Sequence, residues 1–252
     1  MKQAIQEKLT HIAHTEPLHF LLAVESGSRA WGFASPDSDY DVRAIYIRPQ
    51  EYYLQIDEAK DTFEFIENQW FDVGGWDIRK ALRLLRKSNA TLLEWLRSPI
   101  VYTQDDDFTG RLNALAPQYV QAAALLHHYR GIAGNALRNM DLAHPVKLKK
   151  WFYVLRPLLA ARWAVKQGGI PPMTLAELMS EWQTDCAAQI TDLVAIKAEQ
   201  DENYLHMLSP ELQRLTVDLY NEVSELSAPA AQPFDSGPLN ELFRETLAAV
   251  YP

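Results

Sequence analysis

The chain has 252 residues, enough to bury a sizeable core in one large domain or two small ones. Hydrophobic residues make up 48% and charged residues 23%, as in ordinary globular proteins, while a net charge of −9 excludes a general basic field and leaves only a local patch for any nucleic-acid partner. The single cysteine, Cys186, excludes an internal disulfide and reads as a small core residue of a protein kept in a reducing compartment.

The opening stretch MKQAIQEKLTHIAHTE is polar and amphipathic, with Ile5, Leu9 and Ile12 at helical spacing, so it predicts a helix rather than a secretory leader. No apolar run nears the ~20 residues of a membrane span, so the expected location is cytoplasmic with no membrane partner. The apolar run 19–24 predicts a buried strand, Gly27 breaks it, and SRAWG begins a short turn or helix. The run 41–47 predicts a second buried strand, ended by Pro49. Segments 61–66 and 70–73 predict two more strands, turned through Glu67-Asn68-Gln69. From Asp77 the period becomes helical, with Ile78, Leu82 and Leu85, then Leu92, Leu93 and Leu96, interrupted at Ser88-Asn89.

After Pro99 the chain reads almost wholly helical. Helices are expected over 117–140, 145–165, 174–183, 190–198, 210–226 and 239–250, with 228–237 as a flexible connection. The composition shift at TQDDDF, residues 103–108, predicts a boundary between an α/β domain, residues 1–102, and an all-helical domain, residues 103–252.

The chemistry concentrates in ESGSRAWGFASPDSDYDVR, residues 25–43. Side chains alternate along a strand, so Asp39 and Asp41 project from one face. Two neighbouring carboxylates repel when desolvated, and a cation between them removes that penalty. With no Cys or His beside them, these oxygens suit Mg²⁺ or Mn²⁺, whose other positions take water and substrate phosphate. The turn at Gly27-Ser28 can bring backbone N–H groups to a phosphate, and the Ser28 hydroxyl adds a donor. A phosphate cradle with a metal clamp describes phosphoryl or nucleotidyl transfer. PDSD alone would make an ordinary surface turn. The ordered set of strand, Gly-Ser, ten-residue gap, Asp-x-Asp and strand is what carries the reading.

GSRAWG followed by SDYDVR resembles the Gly-Ser…Asp-x-Asp motif of the DNA polymerase beta-like nucleotidyltransferases. Together with DVGGWDIRKALRLLRKSNATLLEWLRSPIVY and VKLKKWFYVLRPLLAARW it is similar, more narrowly, to the RNA-ligase-associated predicted nucleotidyltransferases. The resemblance implies a short mixed sheet flanked by helices, with Gly27 and Ser28 on the nucleoside triphosphate and Asp39 and Asp41 on the metal. It also implies a third carboxylate from a neighbouring strand. Asp72 is the first candidate; Asp77 suits a helix cap, and Glu64 suits a solvent face.

Arg29 is placed to bind phosphate or to pair with Glu25 or another acid. Arg43 shares the face of Asp41 and could tune the carboxylates, and Trp31 shelters the site or packs as a buried aromatic. Lys150, Tyr153 and Arg156 recur on one helical face that could close over a triphosphate, the ordinary alternative being a solvated charged face. Arg79, Lys80, Arg83, Arg86 and Lys87 form a basic strip that either contacts RNA or faces solvent beside acids. No P-loop and no GxGxxG is present. The expectation is a metal-dependent enzyme moving a nucleoside monophosphate from an NTP to a hydroxyl of an RNA end, a protein or a small molecule; the alternative is a catalytically inactive nucleotide-binding protein of the same fold.

Overall fold

The computed structural model describes residues 1–68, 71–230 and 233–252. In chain order the elements are α1 (Lys2–Thr15), β1 (His19–Glu25), α2 (Gly27–Trp31), β2 (Tyr40–Ile47), β3 (Thr62–Asn68), β4 (Phe71–Asp77), α3 (Ile78–Arg86), α4 (Ala90–Trp95), β5 (Val101–Gln104) and α5 (Asp106–Leu115). They continue with α6 (Ala122–Arg138), β6 (Val146–Lys147), α7 (Leu148–Lys166), α8 (Leu175–Ser180), α9 (Ala187–Glu199), β7 (Leu205–His206), α10 (Pro210–Glu225) and α11 (Gly237–Val250). The fold is α/β, with a five-stranded mixed sheet ordered β3-β4-β2-β1-β5.

Two compact units are formed: Met1–Ser26, Asp39–Val120 and Pro233–Pro252 make the first, and Gly27–Ser38 with Gln121–Gln232 make the second. A single cut after residue 102 is therefore not what the chain adopts. Helix α5 buries Phe108 and Leu112 in the first unit, and the last segment joins it there. Tyr119 Oη donates to the Asp235 carbonyl at 2.8 Å, and Arg111 of α5 pairs with Glu245 of α11.

In the first unit, β1 pairs antiparallel with β2 and β5, β2 pairs parallel with β4, and β3 pairs antiparallel with β4. The stripe Ile5, Leu9 and Ile12 of α1 packs with Val42, Ala44, Tyr46 and Val73 in one core. Burial of such a stripe is what holds a short amphipathic helix that is marginal by itself. Alternation then sends Asp41 and Arg43 to the opposite face from Val42 and Ala44.

Strands β3 and β4 are longer than the sequence predicts. Glu67 and Asn68 belong to β3, while Gln69 and Trp70 lie outside the described residues. Strand β4 runs on through Gly74-Gly75 because the Phe63 ring covers Gly75: a Cβ there would stand 2.1 Å from a ring carbon. Ser88, at φ 55°, turns the chain between α3 and α4, and the Asn89 side chain caps α4 by accepting from Leu92 N at 3.0 Å. Helix α5 and strand β5 are additions to the expected set, and the short antiparallel pair of β6 and β7, which brings together segments on either side of α7, α8 and α9, adds a second small sheet to the helical back half.

In the second unit, α7 supplies the buried centre through Trp151, Phe152, Leu155 and Leu158. Trp151 Nε1 donates to Thr216 Oγ1 of α10 at 3.0 Å, satisfying an indole that would otherwise be buried unpaired.

Candidate functional site

The carboxylates of the first unit are positioned by strand register. Tyr40 to Tyr46 of β2 run parallel to Phe71 to Asp77 of β4, which places Asp41 beside Asp72. Between the two, Arg43 Nη2 donates to Asp41 Oδ1 at 3.0 Å and to Asp72 Oδ2 at 2.7 Å. Gly74, the register partner of Arg43, leaves room for this: a Cβ there would stand 3.4 Å from Arg43 Nη1. The side chains of Asp41 and Asp72 are 37% and 39% exposed, so both carboxylates are open to a ligand. Asp39 is exposed, one residue ahead of β2.

Glu25 supports the strand end from below. Its side chain is buried; Oε1 accepts from Asp41 N at 2.8 Å, and Oε2 accepts from the Tyr102 hydroxyl. In the sequence, Glu25 is expected only as a partner for Arg29. In the structure it fixes the backbone at Asp41, a role signalled by a glutamate at the end of an otherwise apolar strand.

The other two candidate acids separate cleanly from Asp72. Asp77 is the buried N-cap of α3: Oδ1 accepts from Arg79 N and Oδ2 from the Tyr53 hydroxyl, each at 2.8 Å. Burial raises its pKa above the ordinary carboxylate value, against the lowering by the Tyr53 and Arg79 hydrogen bonds. Glu64 is exposed on β3, opposite Gly74.

The donor chemistry fits a hard divalent ion. Asp41 and Asp72 offer carboxylate oxygens with no thiolate or imidazole beside them, a set that suits Mg²⁺ or Mn²⁺ completed by water and phosphate. Among the described residues no three His, Cys, Asp or Glu side chains already converge on one point. The pair bridged by Arg43 is what the fold presents.

In the second unit, the segment Gly27–Ser38 carries the Gly-Ser turn. Gly27 has φ +64°, in the left-handed region open to glycine, and leads directly into α2. Ser28 is buried, and its hydroxyl donates to Ser38 Oγ at 3.2 Å. Arg29 Nη2 donates to the Ser38 carbonyl at 2.5 Å, closing the loop on itself. Ser38 Oγ also donates to Glu202 Oε1 at 3.0 Å, and the Asp37 carboxylate accepts from Glu202 N at 3.1 Å. The buried Lys197 donates to Ser35 Oγ at 2.7 Å. Phe33 stacks on Phe152 with ring centroids 4.9 Å apart. Neither Glu202 nor Lys197 stands out in the sequence: Lys197 is one charge among many in a helical stretch, and Glu202 is one of several acids in the connection after it.

Of the expected triad on α7, two members come together. Lys150 and Tyr153 line one cavity of about 570 Å³ with Lys147, Lys149, Asp37 and Glu202. Lys149 is ion-paired with Glu202, and Lys147 Nζ donates to Asn203 Oδ1 at 2.6 Å. Arg156 turns inward instead. It is 2% exposed, its Nε donates to the Met173 carbonyl at 2.9 Å, and its guanidinium lies 4.7 Å from the Trp31 ring centre. The Trp31 ring also meets Tyr153 edge-on at 5.1 Å. Arg156 therefore packs behind the Gly-Ser segment rather than lining the cavity, because the i+6 position carries it off the open face of the helix.

No helix among the described residues is long and apolar enough to cross a membrane. The chain is 41% identical over 204 residues to a Bacillus subtilis (strain 168) protein described as "uncharacterized protein YcgL", covering 80% of this chain and 78% of that one. A crystal structure of a nucleotidyltransferase-like protein from Exiguobacterium sibiricum aligns over 98% of this chain and 75% of its own, at 12% identity and a TM-score of 0.32. Residues 1–245 match the RNA repair pathway DNA polymerase beta family, RlaP, and the chain belongs to that family.

Proposed function

We propose that this protein is a nucleotidyltransferase that moves a nucleoside monophosphate from an NTP to the hydroxyl of an RNA end, releasing pyrophosphate, in the cytoplasm. The observation that carries the reading is the register of Asp41 beside Asp72 on adjacent parallel strands, both open to solvent and joined by Arg43. Family membership supports the reaction class, and the family's description supports RNA as the acceptor.

In this reading Asp41 and Asp72 would hold Mg²⁺ or Mn²⁺, the remaining positions taken by water and substrate phosphate, with Asp39 one residue ahead of β2 as the candidate third carboxylate. The bound ion supplies neutralisation of the triphosphate and a lowered pKa for the attacking hydroxyl. Arg43 keeps the Asp41 and Asp72 carboxylates from repelling one another before a metal arrives and fixes their orientation. Gly27, Ser28 and Arg29 present backbone N–H, hydroxyl and guanidinium donors to phosphate. Lys150 and Tyr153, with Lys147 beside them, offer a cavity of suitable charge for the phosphate tail. Arg156 acts at one remove, as a positioning residue that holds Trp31.

A second reading, a nucleotide-binding regulator without catalysis, is favoured by one observation: Arg43 already occupies an oxygen of both carboxylates. One experiment separates the two. The protein is incubated with each α-labelled NTP, Mg²⁺ or Mn²⁺ and total RNA. The enzyme reading expects label in RNA that disappears in Asp41→Asn. Binding of the NTP without transfer to RNA, protein or small molecule supports the regulator.

A further inference from the structure

The basic strip of α3 has a use that the proposed reaction does not absorb. Its arginines at 79, 83 and 86 fall on one helical face and line a cavity of about 310 Å³ together with Asn240, Leu239 and Phe243 of α11. Both helices belong to the first unit. Arg86 Nη1 donates to Ser236 Oγ at 2.9 Å, which holds it over the start of α11. The Arg79 guanidinium lies 4.7 Å from the Tyr53 ring centre, and its Nε has no hydrogen-bond acceptor among the described residues; the nearest acid is the cap Asp77, at 3.9 Å. Among the described residues no carboxylate pairs with Arg83 or Arg86. Lys80, on the same helix, is by contrast satisfied by Asp61 at 3.0 Å. Asp235, the acid nearest the start of α11, is engaged in accepting from Gly237 N at 2.8 Å.

Three guanidinium groups around one cavity, in a chain of net charge −9, are a local reversal of the protein's sign. Guanidinium forks match the oxygens of a phosphate, and three of them exceed what a single carboxylate can neutralise. The apolar side, Leu239 and Phe243, and the one amide, Asn240, suit a compact planar or apolar group beside the charge. The volume lies at the lower end of small-ligand sites. The place is distinct from the candidate catalytic carboxylates. Strand β4 carries Asp72 near its beginning and ends at Asp77, which caps α3. Five residues of strand separate the two by roughly 17 Å.

We propose that the cavity between α3 and α11 is a second binding site, for a phosphate monoester on a group no larger than a nucleoside. A free nucleotide and a 5′-phosphorylated RNA end share that chemistry.

The test is calorimetric titration of the full chain in EDTA, so that no divalent ion supports the catalytic site. Adenosine 5′-monophosphate is expected to bind, and adenosine is not. Arg83 and Arg86 are exposed, so Arg83→Gln/Arg86→Gln keeps the fold and should weaken binding about a hundredfold, about tenfold for each charge-assisted contact. Asn240→Asp, which leaves the arginines in place and adds a negative charge, should weaken it too. Asp41→Asn should leave it unchanged, which separates this site from the proposed reaction. A 5′-phosphorylated tetraribonucleotide run beside its 5′-hydroxyl counterpart tells the sources apart: arginine-dependent binding of the phosphorylated chain assigns an RNA end, and binding of the mononucleotide alone assigns a free nucleotide. Failure of both phosphate esters to bind, or equal binding by the arginine and Asn240 variants, overturns the proposal.

Discussion

Strand β2 and the segment Gly27–Ser38 adjoin in the chain, yet they are held by different means. Strand β2 lies between β1 and β4 in the sheet, so its place is set by two backbone ladders, and its Arg43 side chain bonds within the sheet to Asp41 of the same strand and Asp72 of β4. The Gly27–Ser38 segment is held through side chains far away in sequence: Ser38 by Glu202, Ser35 by Lys197, and Phe33 by Phe152. A ladder fixes position cooperatively and tolerates change at any one side chain. A loop hung on a few side chains depends on each of them, and the Gly-Ser motif should therefore be the more fragile half.

The largest expected effect tests that contrast. Phe33→Ala removes a ring that is 1% exposed and stacked on Phe152, and should cost about 3–5 kcal/mol in urea unfolding. A loss below about 1 kcal/mol would mean that the segment is not hung on this ring. Glu202→Gln should cost less, about 1–3 kcal/mol, since Gln can still accept from Ser38 but no longer pairs with Lys149, an ion pair already weakened by its partial exposure. Arg43→Met sharpens the other side: stability should stay within about 1 kcal/mol because both carboxylates are more than a third exposed, while metal-dependent turnover falls tenfold or more as they lose alignment. Unchanged kcat/KM in that variant would remove Arg43 from the account.

The smallest effect is one of slope. Burial pushes the Lys197 ammonium below its ordinary pKa of 10.5, although Glu202 and Asp37 pull it back up. A depressed folded pKa adds stability above the unfolded value, and that stability is lost as pH falls through the folded value. The wild type should therefore gain on Lys197→Met as pH rises from neutral toward about 10.5, measured as the difference in chemical unfolding free energy. A pH-independent difference would show that Lys197 titrates as it does in the unfolded chain.

The strand half of the candidate site was legible in sequence because period-2 alternation is a local rule. It puts Asp41 and Arg43 on one face, where the two bond in the structure, whereas Asp39 lies one residue ahead of β2, outside the ladder that the rule describes. Choosing among three acids required register, which alternation does not carry: Asp72 aligns with Asp41, whereas Asp77 is consumed in capping α3. The loop half was legible only as a motif. Glu202 and Lys197 lie more than 160 positions from the serines they hold, a separation at which no local pattern survives. Helix α7 shows the limit of the helical rule as well. Its spacing grouped Lys150, Tyr153 and Arg156, but a three-residue step drifts around the helix, and by Arg156 the face has turned into the core. The domain cut failed for a related reason: the shift in composition after residue 102 marks where strands become rare, whereas the compact units follow packing, and α5 and α11 pack with the first unit.

The most direct test of the central claim is Mn²⁺ binding followed by electron paramagnetic resonance, in the presence of a non-hydrolysable NTP analogue. The wild type is compared with Asp41→Asn, Asp72→Asn and Asp77→Asn. Bound Mn²⁺ should be lost in the first two variants and kept in Asp77→Asn. Retention in Asp41→Asn and Asp72→Asn, or loss confined to Asp77→Asn, would contradict the assignment of the metal to the paired strands.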